Sequence, residues 1–372
     1  MKIISIISGM VLIFGLSSCQ SVPKSSFVID NSNFDSSSLL MTRNKSTKQF
    51  CNASYGIGEP PVILIDLPDR YTGKLASDVS AKLDRAKDHF MSVGEAAFFS
   101  KAAKDQLRND LLAWVDADAL QWPETWNTGD DRGPATVYFT TVTLLPMIVT
   151  YGHHKNIFDE MEVERIENWF RDRLDTVGNT PWMHKWKLDN KKYLYGSVQM
   201  ALGIITDDVQ RVNLALNIYE TAIQGMRKDG SLPGDSGRWG SAIHYTNAAI
   251  ASLVVIAEMA ANQGIDLYSY QSDNKSLDHA IAFLISATKD PSLIADYAKE
   301  RPGSFRGYSA TNQKIDWNNK WGGFWGHYYT SRFPESESAK NLRDISTIVR
   351  TNRSEAHDIS GGNPLCFVHT NS

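Results

Sequence analysis

The chain has 372 residues, 42% hydrophobic and 22% charged, a composition that supports one large core or two smaller ones and excludes general disorder. Its formal net charge of −4 at pH 7 provides no broad positive field of the kind that holds nucleic acid, so an anionic ligand would need a local cluster of cations. Nucleic acid is not an expected partner.

"MKIISIISGMVLIFGLSSC" opens with one lysine, then an apolar run from Ile3 to Leu16, then small residues. This is the pattern of a secretory signal over residues 1–18, too short to cross a bilayer comfortably. Leu16-Ser17-Ser18-Cys19 resembles the bacterial lipoprotein box, which implies lipidation at Cys19. Because Gln20 is not aspartate, the resemblance further implies an outer-membrane anchor, with the protein in the periplasm or at the cell surface. An ordinary signal peptide with a chance cysteine is the alternative. Residues 19–58, rich in Ser, Asn, Lys and Thr, read as a flexible tether. With Cys19 set aside, Cys51 and Cys366 remain near the two ends of the mature chain. In an oxidising compartment they form either a disulfide or two unrelated buried thiols.

Residues 59–372 read as a single domain. Apolar spacing predicts helices over 75–91, 94–117, 135–151, 160–177, 195–205, 209–228, 242–262, 275–288, 321–331 and 337–351, and alternating strands are hard to find. Several of these helices are apolar on more than one face, which suits two packed layers. The expected fold class is all-α, an (α/α) barrel or toroid of antiparallel helix pairs. Four long loops, 120–134, 178–193, 228–241 and 301–329, are rich in Trp, Tyr, Asn, Arg and Lys. In a toroid such loops gather at one rim, where aromatic faces beside amides and cations suit an acidic sugar chain; the alternative for each tryptophan is to cap the core. The common metal and nucleotide motifs are absent from the sequence, so no metal and no cofactor are expected.

"DGSLP" (229–233), a spacer containing arginine, the helix start "AIHY" (242–245) and "IAEMAANQGIDLY" (256–268) together resemble the alginate lyases of polysaccharide lyase family 5. The resemblance implies that Tyr245 is the catalytic acid and that Arg238 sits beside it, with His244 and Trp239 along the sugar cleft. "IENWFRDRLDTV" (166–177) followed by "LDNKKYLYGSVQMALGIITDD" (188–208) resembles the family's helix and its Asn-Asn-His-x-Tyr-Trp segment. Matching Tyr193 to that tyrosine puts Asp189 and Asn190 on the two asparagines and Lys191 on the histidine. Tyr193 is then expected to line the substrate. Fainter similarity in "YTGKLASDVSAKL" (71–83), "WNTGDD" (126–131) and "NNKWGGFWGHYY" (318–329) implies substrate contacts from Lys74, Trp126, Asn127 and Lys320.

The chemistry explains why such residues should be grouped. A uronate polymer is cut by β-elimination when the C5 proton is removed, charge develops on the neighbouring carboxylate, and the C4 oxygen leaves. Asn190 and Arg238 would stabilise that charge, a contribution of roughly 3 to 4 kcal/mol per donor at comparable sites. A tyrosine hydroxyl titrates at about 10 and needs a nearby cation to act as base. In mannuronate and glucuronate the C5 proton and the C4 oxygen lie on one face, so a single tyrosine can serve both steps. Lys191 acts either as a base or as a cation binding the substrate carboxylate, and His184, seven residues earlier, is an alternative stand-in for the histidine. The expected partner is an anionic uronate polysaccharide, and the expected state is a monomer. Two other classes remain open: a polymer-binding protein without catalysis, and a glycoside hydrolase using carboxylates among Asp189, Asp229 and Asp235.

Overall fold

The computed structural model describes residues 26–30, 33–35, 39–40, 59–67, 74–122, 133–185, 188–299, 309–317, 322–351 and 357–366. Among them are fourteen α-helices and no strand beyond isolated bridges. In chain order these are α1 (Lys74–Ala97), α2 (Lys101–Asp116), α3 (Gly133–His154), α4 (Glu160–Gly178), α5 (Pro181–Lys185), α6 (Asn190–Ile205) and α7 (Val209–Gly225). They continue with α8 (Pro233–Ser236), α9 (Ala242–Asn262), α10 (Leu277–Lys289), α11 (Ser292–Ala298), α12 (Trp325–Arg332), α13 (Glu337–Ile345) and α14 (Thr347–Thr351).

Local chemistry sets the helix ends. Ser100 accepts a hydrogen bond from the Ala103 N–H and starts α2, so the break after α1 falls at Ser100 and not before Gly94, where the sequence pattern put it. At α4, Asp159 and Glu162 each accept from the other's backbone N–H, a complete capping box. One predicted helix over 337–351 is two, interrupted at Ser346, whose hydroxyl donates to the Trp317 carbonyl.

The packing order gives a two-layered toroid. α1, α3, α6, α9 and α12 each pack on the next and form the inner layer, while α2, α4, α7, α10 and α13 pack behind them. Composition explains the division: α3 and α9 are apolar all round and buried on nearly every side, long enough by length and composition to cross a membrane but enclosed within the protein. Inside the α6–α9 contact the Ser197 hydroxyl donates to the carbonyls of Tyr193 and Ser252. Lys191 also meets Tyr245, so the two inner helices run in the same direction and begin at the same rim.

The segment 357–366 joins the ends of the ring. The Asp358 carboxylate accepts from the Lys87 ammonium of α1 at 2.6 Å, and the Ser360 carbonyl accepts from the Tyr328 hydroxyl of α12. Cys366 is disulfide-bonded and buried; Cys51, its expected partner, lies outside the described residues.

Part of the stretch expected to be a tether is instead laid on the toroid. The Glu220 carboxylate of α7 accepts from the Ser26 and Phe27 N–H groups at 2.9 to 3.1 Å, Ile29 exchanges two hydrogen bonds with Asn213, and Leu39 and Leu40 are fully buried. Apolar residues spaced through the polar stretch, Phe27, Ile29, Phe34, Leu39 and Leu40, pack against the core and hold it there, while the Ser26 and Phe27 N–H groups satisfy the buried Glu220 carboxylate.

Candidate active site

Two segments meet at the rim where α6 and α9 begin. Asp189 caps α6, its carboxylate accepting from the Lys191 N–H at 3.1 Å, so "DNKKY" is the first turn of a helix and not the loop that the apolar pattern, starting at Tyr195, suggested. Facing it, residues 233–241 fold through the short α8 and a 3-10 turn into α9. The first turn of α9 is tied down from a distant loop, where buried Gln313 accepts from the Ile243 N–H at 2.9 Å.

Tyr245, on that first turn, is half-buried. The Arg238 guanidinium lies 3.9 Å from its ring centroid, the Lys191 ammonium 6.0 Å away, and the His244 ring stands edge-on at 5.3 Å. Arg238 also reaches the Asp189 carboxylate at 3.6 Å, and Lys191 lies 5.9 Å from the ring of Trp182 on α5. Asn190 and Lys191 are both buried, and the Asn190 side-chain oxygen has no hydrogen-bond partner among the described residues. Trp239, between Arg238 and Tyr245, is half-buried and holds φ at 47°, a left-handed conformation unfavourable for a bulky side chain. Such backbone is retained where the surroundings over-determine it, as in a turn that must aim its neighbours.

The structure therefore brings together Asn190, Lys191, Arg238, Trp239, His244 and Tyr245. Tyr193 differs from expectation. It is 2% exposed, in the core beneath the site, and burial followed by the charges of Asp235 and Asp189 raises its phenol well above the ordinary value. Its side chain is packed within the protein beside Asp235 and Asp189. His184, on α5, is solvent-exposed, whereas Lys191 is buried beside Tyr245. Lys74 opens α1, with its side chain outside what is described; Cys19, Trp126, Asn127 and Lys320 lie outside the described residues altogether. Sequence reasoning missed Trp182, although the same loop supplied it, because an isolated tryptophan carries no spacing signal.

The family model for alginate lyase matches residues 80–294, more than half of the chain and the whole of this site. The chain belongs to the alginate lyase family. Its relatives include an alginate lyase of Pseudomonas syringae pv. syringae, 27% identical over 197 residues, covering 52% of this chain and 50% of that protein. A polysaccharide lyase of Stenotrophomonas maltophilia (strain K279a) is 26% identical over 226 residues, covering 58% and 63%. The chain thus spans about half the length of the first of these curated relatives. Among solved structures, alginate lyase A1-III in a tyrosine-to-phenylalanine variant complexed with tetrasaccharide aligns with a TM-score of 0.72 at 19% identity, over 94% of this chain and 99% of that one. Alginate lyase A1-III from Sphingomonas species A1 aligns with a TM-score of 0.66 at 20% identity, over 93% and 92%. At these identities the structures establish a shared all-α toroid.

Proposed function

We propose that this alginate lyase family member cleaves a β-linked uronate polymer, such as mannuronan or glucuronan, by β-elimination. The observation that carries the reading is the placement of Tyr245 at the head of α9, with Arg238 stacked on its ring and Lys191 beside it. Two cations and the starts of two long helices surround one phenol, which suits a substrate whose carboxylate gains charge as the C5 proton leaves. In the proposed step the Tyr245 oxygen takes the C5 proton, the electron pair forms the C4–C5 double bond, and the C4–O bond breaks. The same phenol then protonates the departing oxygen, a geometry open to mannuronate and glucuronate.

Arg238, Lys191 and the Asn190 amide would neutralise the carboxylate. Lys191 stands 5.9 Å from the Trp182 ring and 6.0 Å from the Tyr245 ring, a placement between aromatic faces that suits a cation holding the substrate carboxylate. A glycoside hydrolase reading has less support: Asp189 is 2% and Asp235 0% exposed, and Asp229 is occupied by Tyr297 and Ser231. Such carboxyls are poorly placed to flank a glycosidic bond across a cleft.

Purified protein incubated with mannuronate, guluronate and glucuronate polymers should release products absorbing in the ultraviolet from the new double bond. Polymer binding without such product would identify a non-catalytic binding homologue, and reducing sugar without absorbance would identify a hydrolase. We further propose that the protein is an outer-membrane lipoprotein anchored through Cys19 and acts as a monomer. Radiolabelled fatty acid should enter the wild type and not Cys19→Ala.

A further inference from the structure

The two halves of the site touch through a carboxyl group that the elimination does not use. Asp235, on α8, is fully buried; its Oδ1 accepts from the Asn190 N–H at 3.0 Å, and its Oδ2 has no hydrogen-bond partner among the described residues. Beside it, Gly234 lies so close to the entry of α6 that a Cβ there would fall 2.0 Å from the Leu188 carbonyl oxygen. The charged and titratable groups facing Asp235 are Asp189 and Lys191 from the start of α6, Tyr193 from its first full turn, and Arg238 from its own segment.

We propose that Asp235 is a positioning residue, whose buried carboxyl group holds the Asn190–Lys191 helix start against the turn that carries Arg238 and Tyr245. Its kinetic consequence rests on the elimination reading; the contact itself does not. Charge counting adds a second role. The charged groups around Asp235 (Asp189, Arg238 and Lys191) sum to zero with it when all are ionised. Burial, then the charge of Asp189, push the Asp235 carboxyl well above the ordinary carboxylate range, against the opposing effects of the Asn190 N–H, Arg238 and Lys191. With Asp235 neutral the four groups carry one net positive charge, and Oδ2, which accepts nothing, has room for the proton.

The sign of the pH effect follows. The folded state binds this proton more tightly than the unfolded state, so the associated stability is full below about pH 4 and is lost as pH rises through the folded-state value. Asparagine has the shape of the neutral acid and no such titration.

The test compares wild type, Asp235→Asn and Asp235→Ala for melting temperature, KM and kcat on uronate oligomers, each across pH. The expected result is that Asp235→Asn keeps wild-type kcat at neutral pH, while Asp235→Ala loses about 10²-fold in kcat/KM through misplacement of the site. As pH rises, the wild type should lose melting temperature and gain KM relative to Asp235→Asn. The proposal is overturned if Asp235→Asn loses as much activity as Asp235→Ala, or if wild type and Asp235→Asn follow parallel melting and KM profiles. Should Asp235→Ala fail to fold, the comparison of wild type with Asp235→Asn still decides. Should the wild type release no unsaturated product from any uronate, the elimination reading fails, and the melting profiles still judge Asp235.

Discussion

Around Tyr245, residues of similar charge are set to do different work. Arg238 contributes a planar cation stacked on the phenol and a contact to Asp189, whereas Lys191 contributes a compact charge 6.0 Å from the same ring. Arg238→Ala should lower kcat by about 10²- to 10³-fold, the scale seen when one donor to developing charge is removed. Arg238→Lys should recover only part of this, since an ammonium cannot reproduce the stacked plane. Tyr245→Phe should lower kcat by roughly 10²- to 10⁴-fold and leave KM little changed, because it deletes the proton carrier and keeps the ring. If Lys191 is a cation and not the base, Lys191→Ala should raise KM more than it lowers kcat and leave the shape of the kcat against pH curve intact. Steady-state rates of double-bond formation on a single uronate oligomer separate these cases; loss of a kcat limb in Lys191→Ala would reassign it as the base.

At the scale of elements, the site depends on how closely the α6 start approaches α8. Gly234 permits that approach, and Gly234→Ala would force the Leu188 carbonyl away, shifting Asn190 and Lys191 relative to Tyr245. A displacement near 1 Å is worth about 10² in rate, so kcat/KM should fall on that scale while circular dichroism retains the helical signal. Much of this element was legible beforehand. The run 242–262 reads as one helix and is α9, because a near-continuous apolar run of that length is too long for a strand, and Arg238 and Tyr245 fall at its threshold. The start of α6 was not legible. Asn190, Lys191 and Lys192 break the apolar pattern, and their place in the helix is fixed by the Asp189 cap and by Asp235, forty-five residues away in sequence. The left-handed Trp239 could not be read either, since bulky residues adopt that backbone only under tertiary constraint.

For the whole molecule, holding the rim together is a matter of closing the ring, and the closure lies in the segment 357–366. Lys87 and Asp358 are 4% and 7% exposed, 2.6 Å apart, joining α1 to the chain that also receives Tyr328 of α12. Burial alone would raise the Asp358 carboxyl, but Lys87, with help from His357 and the Ile359 N–H, holds it below the ordinary value; its stability contribution is therefore present above about pH 4 and lost as pH falls through the folded-state value. Removing Lys87 leaves the buried Asp358 carboxylate, among the described residues, with only the Ile359 N–H at 2.8 Å and His357 at 3.6 Å, whereas removing Asp358 leaves Lys87 its second partner, Asp84, at 2.8 Å. Lys87→Met should cost about 3 to 5 kcal/mol in urea unfolding at neutral pH, and the double variant with Asp358→Leu should recover most of that loss. Tyr138 of α3, whose phenol is raised first by burial and then by Asp358, neighbours both this ion pair and Tyr245, which sets the closure next to the site. Lys87→Met should consequently lower kcat/KM as well as stability, and the double variant should restore folding more completely than activity. Equal recovery of both in the double variant would mean that the ion pair serves only to close the ring.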